Sequence, residues 1–367
     1  MFIYLFLLFV VFLGVGTDQS IVRSKRYCTI VFFVMWIIVG LRHISLGLTD
    51  TEWVYVPLIK RCINMDFGEM YHYFSTSDYG FYFCVKIISY ISKDIHFILF
   101  VLAAPFLFAT ARIIYKYSKI KWLSFLLFFG LGYFGSSFYL LRQVTAIAIV
   151  MCSLDYLYDR KLIKFTVAIL IASLFHQTAV VFLIAYPVSF IKVSWKNIVS
   201  LPICFGLSLA LKHSFLRYVF IALSYVMKDT SRYDNYMTDG SSLSLTEFFI
   251  FILIILMVYL LYFKNIFGFG KRIEHSDQRE MQILFNIVLI GVCMLPFTLL
   301  LGEMSRLASY FSVFSILLLP NAVKESVSTK SNMVIILTVL ASIFTLYFLF
   351  ARLGNSNLIP YSFFWMN

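Results

Sequence analysis

Residues 138–148, FYLLRQVTAIA, place a single arginine, Arg142, between two apolar segments that are each long enough to enter a bilayer. Arginine near membrane depth costs roughly 2.5 to 3.5 kcal/mol on an insertion scale, so it normally faces a protein interior or a wet cavity and has a partner there. Arg42, His176 and Arg306 stand in similar surroundings. The four positions together predict a polar site assembled inside a bundle of membrane helices.

The composition of the whole chain excludes a soluble protein. Of the 367 residues, 61% are hydrophobic, 19% are aromatic and only 13% are charged. Soluble domains carry about 25% charged residues, and no polar block in this chain is large enough to fold separately. We therefore predict an all-α integral membrane protein in which residues 1–367 form a single polytopic domain.

Apolar segments alternate with short basic clusters along the chain. This alternation predicts about 12 transmembrane helices, in a range of about 10 to 14, although several segments are shorter than the roughly 20 residues that a straight crossing needs. The short segment 79–92 is predicted to be an interfacial or re-entrant helix. The predicted spans lie near residues 1–16, 27–48, 95–115, 122–140, 143–158, 165–175, 178–191, 198–212, 246–263, 281–301, 305–320 and 332–352.

The net charge of +12 is explained by orientation in a membrane, and no nucleic-acid partner is expected. Lys and Arg accumulate on the cytoplasmic side of membrane proteins. With every basic cluster placed in the cytoplasm, both chain ends lie outside, as do the loops 42–80 and 212–245. The turns at Arg142, His176 and Arg306 then fall on the same external side, so we predict a one-sided site to which both loops contribute.

The sequence Leu141-Arg142-Gln143 begins a predicted helix and is suited to binding an anion. Free N–H groups, the positive end of the helix dipole and a guanidinium fork coincide at such a position. A phosphate or pyrophosphate can accept two parallel hydrogen bonds from the guanidinium. The alternative is an arginine that only reaches out to a lipid headgroup.

Two residues are candidates for a general base. His176 lies at a turn between two apolar helices, and histidine is the side chain most often used for proton transfer. The alternative is a histidine that only forms a hydrogen bond with a carbonyl. Asp50 is the second candidate. The acidic pair Asp50-Thr51-Glu52 also offers a divalent cation two carboxylates, but hard cations need several oxygen ligands, so no cofactor is expected.

Six motifs resemble, in order and over nearly the whole chain, those of the EpsG family of bacterial membrane proteins. They are Gly-Leu-Arg-x-x-x-x-Gly-x-x-Asp-x-x-x-x-Tyr at 40–55, Tyr-Gly-Phe at 79–81, Arg-Gln at 142–143, Ala-Ser-Leu-Phe-His-Gln at 172–177, Arg-Tyr-x-x-Tyr at 232–236 and Arg-x-x-x-Tyr-Phe at 306–311. Just before the Gly-Phe stretch the family usually has a glutamate, whereas this chain has Asp78.

The EpsG family is grouped with Wzy-type polymerases of O-antigen, capsule and exopolysaccharide. The resemblance implies a membrane glycosyltransferase with a GT-C-like multi-pass fold in the bacterial plasma (inner) membrane. It would move a growing glycan from undecaprenyl pyrophosphate to the non-reducing end of a new lipid-linked repeat unit at the external, periplasmic face. The implied partners are undecaprenyl-pyrophosphate-linked oligosaccharides, with a chain-length regulator and a flippase of the same pathway.

This hypothesis gives each candidate residue a role. The reaction requires groups that bind growing negative charge and one group that deprotonates a hydroxyl. The residues predicted to bind pyrophosphate are Arg142 and Arg306, with Arg42 or Arg232 as a third. His176 or Asp50 would be the catalytic base. Aromatic faces suit the apolar faces of sugar rings, and the motif tyrosines predicted to contact substrate are Tyr55, Tyr233 and Tyr310.

Two other classes of membrane protein fit part of the pattern. A flippase for lipid-linked oligosaccharides would also bind pyrophosphate with arginines. It should, however, have charges through both leaflets and usually two related halves. A membrane acyltransferase would also use a histidine in apolar surroundings. Its charged donor is commonly bound at the cytoplasmic side, where this chain has mostly lysines.

Overall fold

The structure, a computed structural model, describes residues 1–17, 20–47, 50–74, 78–211, 245–264, 275–327 and 329–366. Within these ranges the chain is helical and forms no β-strand, so the predicted all-α class is confirmed. Long apolar runs explain this, because a backbone in lipid must satisfy its hydrogen bonds within its own segment.

The α-helices are numbered in chain order, and the 3-10 and π-helical segments are named by their ranges. The first twelve are α1 (Phe2–Phe12), α2 (Ile21–Gly40), α3 (Val56–Asn64), α4 (Phe67–Phe74), α5 (Tyr79–Ser89), α6 (Ile95–Leu102), α7 (Ala104–Tyr117), α8 (Lys121–Gly130), α9 (Tyr133–Ser136), α10 (Leu141–Tyr158), α11 (Leu162–Phe175) and α12 (Ala185–Val188). The others are α13 (Trp195–Leu211), α14 (Leu245–Val258), α15 (His275–Met294), α16 (Met304–Ser312), α17 (Ser315–Ser326), α18 (Lys330–Tyr347) and α19 (Leu353–Asn355). The 3-10 or π-helical segments are Thr51–Tyr55, Gln177–Ile184, Tyr259–Phe263, Leu295–Leu299 and Phe348–Arg352.

Five helical stretches in the described part of the chain are long and apolar enough to cross a membrane, which makes this a membrane protein. Each coincides with a predicted span. They are Ile95–Tyr117, Thr246–Phe263, Gln278–Leu299, Met304–Ser326 and Lys330–Asn355. Other apolar helices, such as α8 and α11, are shorter than a straight crossing requires. The total of about 12 crossings and the GT-C-like fold therefore stay predictions.

The chain divides into two compact units, Met1–Leu183 with Val327–Asn367, and Ile184–Ser326. In the first unit, α10 packs against α7 and α11, α2 packs against α7, and α18 packs against α8. In the second unit, α15 packs against α14, α16 and α17. The single membrane domain predicted over residues 1–367 stays a prediction.

The segment 42–80, predicted as an external loop, is largely helical where it is described. Helix α4 begins with a reciprocal cap, in which the N–H of Glu69 donates to Oδ1 of Asp66 (2.8 Å) and the N–H of Asp66 donates to Oε2 of Glu69 (3.0 Å). Buried side chains of this segment and of α5 and α6 form one apolar cluster, which includes Ile59, Met70 and Phe81. This cluster fixes the start of α5.

Helix α5 corresponds to the short helix predicted over residues 79–92. Its Lys86 is buried, and Nζ donates to the carbonyl oxygens of Ile63 (2.8 Å) and Met65 (2.6 Å) at the end of α3. Gly80 lies against α11, where an added Cβ would be 3.0 Å from both the Cβ and the carbonyl oxygen of Leu174. Because α5 and α11 approach so closely here, the residue before α5 comes next to the residue after α11.

The C-terminal segment is bound to the end of α2. The N–H of Phe364 donates to the carbonyl of Leu41 (3.0 Å), and the N–H of His43 donates to the carbonyl of Ser362 (2.9 Å). Between them, Arg42 and Phe363 form an isolated antiparallel bridge. The backbone around Arg42 is therefore fixed by residues from the far end of the sequence.

Candidate functional site

A buried carboxylate, Asp78, joins the starts or ends of three helices in the first unit. Its Oδ2 lies 2.7 Å from Nη1 of Arg142 and 3.5 Å from Nδ1 of His176. Its Oδ1 accepts a hydrogen bond from the backbone N–H of Gln177 (3.2 Å). We call Asp78, Arg142, His176 and Tyr55 the Asp78 cluster.

Local backbone geometry explains how the three polar side chains meet. Asp78 has a left-handed backbone conformation (φ 55°, ψ 33°) directly before α5, a conformation that Asp tolerates better than most residues. His176 is extended (φ −156°, ψ 114°) and ends α11, so the chain turns there as predicted. Arg142 is the second residue of α10. Each side chain therefore lies at a helix terminus, where the chain changes direction.

Arg142 has a second partner in Tyr55. Its guanidinium lies 5.5 Å from the centre of the Tyr55 ring, and its backbone N–H donates to the Tyr55 hydroxyl at 3.4 Å. Leu140, the residue before α10, offers no side-chain cap, so the Tyr55 hydroxyl takes that place for one N–H. Nε of Arg142 is buried and has no hydrogen-bond partner among the described residues. The partly exposed guanidinium thus keeps a donor that a bound anion can use.

The contact between His176 and Asp78 is longer than a well-formed hydrogen bond. Nδ1 of His176 is buried without a hydrogen-bond partner in the described ranges, although Oδ2 of Asp78 is only 3.5 Å away. Such contacts in ligand-free sites often shorten when a substrate binds. With Nδ1 toward the carboxylate, Nε2 is the nitrogen that can accept a proton from a substrate.

The cluster is buried at its carboxylate and more open at Arg142 and His176. The side chain of Asp78 is 6% exposed, whereas those of Arg142 and His176 are 25% and 20% exposed. A buried carboxylate is tolerated only when it is paired and hydrogen-bonded, and Asp78 meets both conditions. The arrangement can orient an imidazole for proton transfer while an arginine next to it binds an anion.

Arg42 was predicted to bind substrate, and the structure places it in a fully buried position. Only 2% of the residue is exposed, and its guanidinium donates to the carbonyl oxygens of Val39 (2.6 Å) and Phe138 (2.8 Å). Thr51 donates to the same Phe138 carbonyl (2.8 Å). These contacts favour a role in holding the backbone around the cluster over direct contact with substrate.

Asp50, the alternative base, is half-buried at the start of the helical segment Thr51–Tyr55. None of the contacts found in the described ranges joins it to His176 or Arg142. No group of three His, Cys, Asp or Glu side chains that could hold a metal is present in the described part of the chain. The absence of a cofactor stays a prediction.

Arg306 and Tyr310 lie in the second unit, on α16. Nη1 of Arg306 is 3.0 Å from Oε2 of Glu303, the pair that their spacing of three residues allows. The arginine side chain is 40% exposed, and Tyr310 is fully buried. Arg232 and Tyr233, with the rest of the predicted loop 212–245 up to residue 244, lie outside the described residues. The roles of all four stay predictions.

Asp78 is the residue of the cluster that was not among the predicted catalytic or substrate-binding residues. The available signal was its position directly before Tyr79-Gly80-Phe81, where the resemblance led us to expect a carboxylate. The hydrogen bond from the Gln177 N–H to Asp78 involves the backbone, so the residue types in the sequence did not indicate it. By contrast, Tyr55, Arg142 and His176 were singled out from the sequence, and the structure brings these three together around Asp78.

The fold and the cluster define a class: a helical membrane protein with a buried Asp–Arg–His site where three helices meet. Within that class the chain belongs to the EpsG family, whose sequence profile matches residues 25–363. This is a family of polysaccharide polymerase-like membrane proteins, so the predicted membership is confirmed. The matched range contains the whole Asp78 cluster. No match was found among curated proteins or among solved structures.

Proposed function

We propose that this protein is a polysaccharide polymerase of the bacterial plasma membrane and that the Asp78 cluster is its catalytic site at the external face. It transfers a growing glycan from undecaprenyl pyrophosphate to a hydroxyl at the non-reducing end of a new lipid-linked repeat unit. One observation carries the proposal: the Asp78 carboxylate lies 2.7 Å from the Arg142 guanidinium and 3.5 Å from the His176 imidazole. Membership of a polymerase-like family supports it.

His176 acts as the general base in this mechanism. Nε2 removes the proton from the acceptor hydroxyl as its oxygen forms a bond to the anomeric carbon. Asp78 holds Nδ1 and stabilises the imidazolium that forms, as a carboxylate does for histidine in hydrolytic triads. A base held in this way contributes typically about 10²- to 10⁴-fold to the rate.

Arg142 acts on the leaving group. As the bond between the anomeric carbon and the pyrophosphate oxygen breaks, the electron pair moves to that oxygen, and undecaprenyl pyrophosphate departs. The guanidinium binds this growing negative charge, and the positive end of the α10 dipole stabilises it further. Nη1 is already bonded to Asp78, and the side chain remains 25% exposed, so the arginine is held in place while it can still contact an anion.

The remaining predicted residues would serve the second substrate. Arg306 and Arg232 would bind the pyrophosphate of the acceptor lipid, and Tyr233 would contact sugar. Tyr310, which is fully buried, would have to become exposed to contact sugar as predicted. The Tyr55 ring would hold the Arg142 guanidinium in position. No cofactor is needed, because the lipid pyrophosphate is already an activated donor. A chain-length regulator and the flippase of the pathway are the proposed protein partners.

The test is the length of the surface glycan in a host strain that lacks the gene and carries either the wild-type or a variant copy. Asp78→Asn and Arg142→Lys should leave single repeat units on the surface lipid at normal protein levels. For Arg142→Lys the reason is that an ammonium group cannot reproduce the planar two-bond contact of a guanidinium. Arg61→Lys is the matched control. Arg61 also lies over a tyrosine ring, 4.1 Å from the centre of Tyr73, but is outside the cluster.

Two outcomes would contradict the proposal. Normal glycan length in both cluster variants would leave the site without a catalytic role. Complete loss of surface glycan, with lipid-linked repeats retained inside the cell, would indicate a flippase. In a purified system the wild-type protein should convert lipid-linked repeats to longer chains and release undecaprenyl pyrophosphate.

A further inference from the structure

A pocket of about 330 Å³ lies between α2 and α7 in the first unit. Two cationic side chains line it, Lys25 of α2 and Arg112 of α7. Most of the remaining wall is apolar and includes the aromatic rings of Phe32, Phe33 and Phe108. None of the described residues that line the pocket is acidic. Such a wall suits a molecule that carries an anionic group next to hydrocarbon.

The two helices run in opposite directions, and this brings the two cations together. Near the end of α2, Nε1 of Trp36 donates to the carbonyl of Phe100 (2.8 Å), which lies just before α7 begins. Near the start of α2, Lys25 lines the same pocket as Arg112, close to the end of α7. The two side chains therefore lie at the same end of the helix pair.

The aromatic side chains extend from this cationic end along both helices. On α2, Phe33 follows Lys25 by eight residues, a rise of about 12 Å, and on α7, Phe108 precedes Arg112 by four residues, about 6 Å. The rings of Phe33 and Phe108 are exposed, and Phe32 lies edge-on to Phe108 with 5.8 Å between ring centres. Hydrocarbon attached to an anion at the cationic end would thus contact aromatic surface.

The cationic end keeps a positive charge in the folded protein. Nη2 of Arg112 lies 2.5 Å from Oδ2 of Asp155, and Nζ of Lys116 lies 3.1 Å from the same oxygen, so one carboxylate serves two cations. Lys25 is exposed and forms no ion pair with a residue that the structure describes. Nη1 of Arg112 has no hydrogen-bond partner among the described residues, and the side chain is 34% exposed. Lys25 and Arg112 can therefore both contact an anion.

This pocket is separate from the Asp78 cluster. Asp155, the partner of Arg112, follows Arg142 by 13 residues on α10, which corresponds to a rise of about 20 Å. In the orientation predicted from the basic clusters, Lys25 lies on the cytoplasmic side and the Asp78 cluster on the external side. An anion bound at Lys25 and Arg112 would therefore not be the substrate of the Asp78 cluster.

We infer that this pocket binds the head of an anionic phospholipid, with its phosphodiester at Lys25 and Arg112 and its acyl chains against Phe33 and Phe108. Basic pockets between membrane helices are known to bind anionic lipid head groups. The volume is enough for a phosphodiester and its glycerol, and the exposed rings would contact the chains. A water-soluble phosphate would leave the aromatic wall uncovered. The inference does not rest on the proposed function.

The test measures lipid binding to the purified full-length protein by native mass spectrometry in a neutral detergent. Phosphatidylglycerol should bind at least about tenfold more tightly than phosphatidylcholine with the same acyl chains, because two basic side chains favour the anionic lipid. Lys25→Gln should weaken phosphatidylglycerol binding about fivefold and leave phosphatidylcholine binding unchanged. Because Lys25 is exposed, this change should not affect folding.

Arg23→Gln is the matched control. It removes the same charge from the same helix, and Arg23 is exposed but does not line the pocket. It should bind phosphatidylglycerol like the wild type. Equal losses in Arg23→Gln and Lys25→Gln would mean that the basic cluster attracts anionic lipid without a defined site, and would overturn the inference. Equal affinities of the wild type for the two lipids would do the same.

A second measurement locates the lipid and distinguishes it from a free anion. Phosphatidylglycerol with a diazirine near the start of one acyl chain should, after irradiation, be found on Phe33 or Phe108, and less of it in Lys25→Gln. Inorganic phosphate should not displace it. Cross-links only at other helices would contradict the inference. Displacement by inorganic phosphate at the concentration of the lipid would instead indicate a site for a water-soluble anion.

Discussion

Oδ2 of Asp78 lies 2.7 Å from Nη1 of Arg142, although the two residues are 64 positions apart in sequence. The pair connects the start of α5 to the start of α10. Because the carboxylate is almost fully buried, it depends on this partner and on the Gln177 N–H for its stability in the folded protein. The pair is therefore expected to stabilise the fold locally as well as to serve the chemistry.

Removing one partner of the pair should destabilise the protein by more than half of what removing both partners does. Asp78→Asn leaves the guanidinium without its carboxylate, and Arg142→Gln leaves a buried carboxylate unpaired. Residues in one such contact show coupling energies of about 0.5 to 3 kcal/mol. Melting temperatures are measured in detergent for the two single variants and the double variant. The decrease in the double variant should be smaller than the sum of the decreases in the two single variants. Strictly additive losses would mean that the contact contributes nothing.

His176→Ala and His176→Gln should both leave single-repeat glycan on the surface lipid, because neither replacement can accept a proton from the acceptor hydroxyl. Gln retains polarity and some hydrogen bonding, and a satisfied hydrogen bond contributes only about 0.5 to 1.5 kcal/mol. A purely structural histidine would therefore be rescued by Gln. Glycan of nearly normal length in His176→Gln would remove the histidine from the mechanism and leave Asp50 as the candidate base.

Gly80→Val should shorten the glycan by separating α5 from α11. Even a Cβ at this position would lie 3.0 Å from the Cβ and the carbonyl oxygen of Leu174, so a larger side chain must push the helices apart and move Asp78 away from His176. Gly354→Val is the control, because an added Cβ there meets nothing within 4 Å. Equal glycan lengths in the two variants, at equal protein levels, would show that the close approach is not needed.

Arg42→Met should lower the melting temperature and the amount of folded protein. The change leaves the carbonyls of Val39 and Phe138 without their buried donor, and an unsatisfied buried group costs about 1 to 3 kcal/mol. Arg61→Met, at an exposed arginine, should have little effect on melting. An unchanged melting temperature combined with loss of polymer would instead support the direct role in substrate binding predicted from the sequence.

Cysteine labelling from outside the cell should reach Asn357→Cys and should not reach Lys161→Cys. Both positions are exposed, so the difference reports the side of the membrane and not burial. The six native cysteines would first be replaced, because four of them are only partly buried. Labelling of Lys161→Cys by an impermeant maleimide in intact cells would reverse the predicted orientation and place the Asp78 cluster on the cytoplasmic side.

Local sequence patterns were sufficient for the helical class and for part of the site. Apolar runs interrupted by a single polar side chain predicted turns or helix starts at Arg142 and His176, and both are present. This succeeds because a lone polar residue in an apolar chain must lie where it can find a partner. The same rule selected Arg42, but it could not distinguish an arginine that binds backbone carbonyls from one that binds substrate, since both are lone cations beside an apolar run.

The sequence by itself determined that this is an all-helical membrane protein and that Arg42, Arg142, His176 and Arg306 are its unusual polar positions, with Tyr55 as a motif tyrosine. Composition and periodicity are local properties, and a helix in lipid satisfies its backbone within its own segment. Only the tertiary structure decided that Asp78 is the group that joins Arg142 and His176. Its partners lie 64 and 99 positions away, and they meet because Gly80 lets α5 lie against α11 while α10 packs beside α11. Contacts of that kind depend on how helices pack, which no short stretch of sequence specifies.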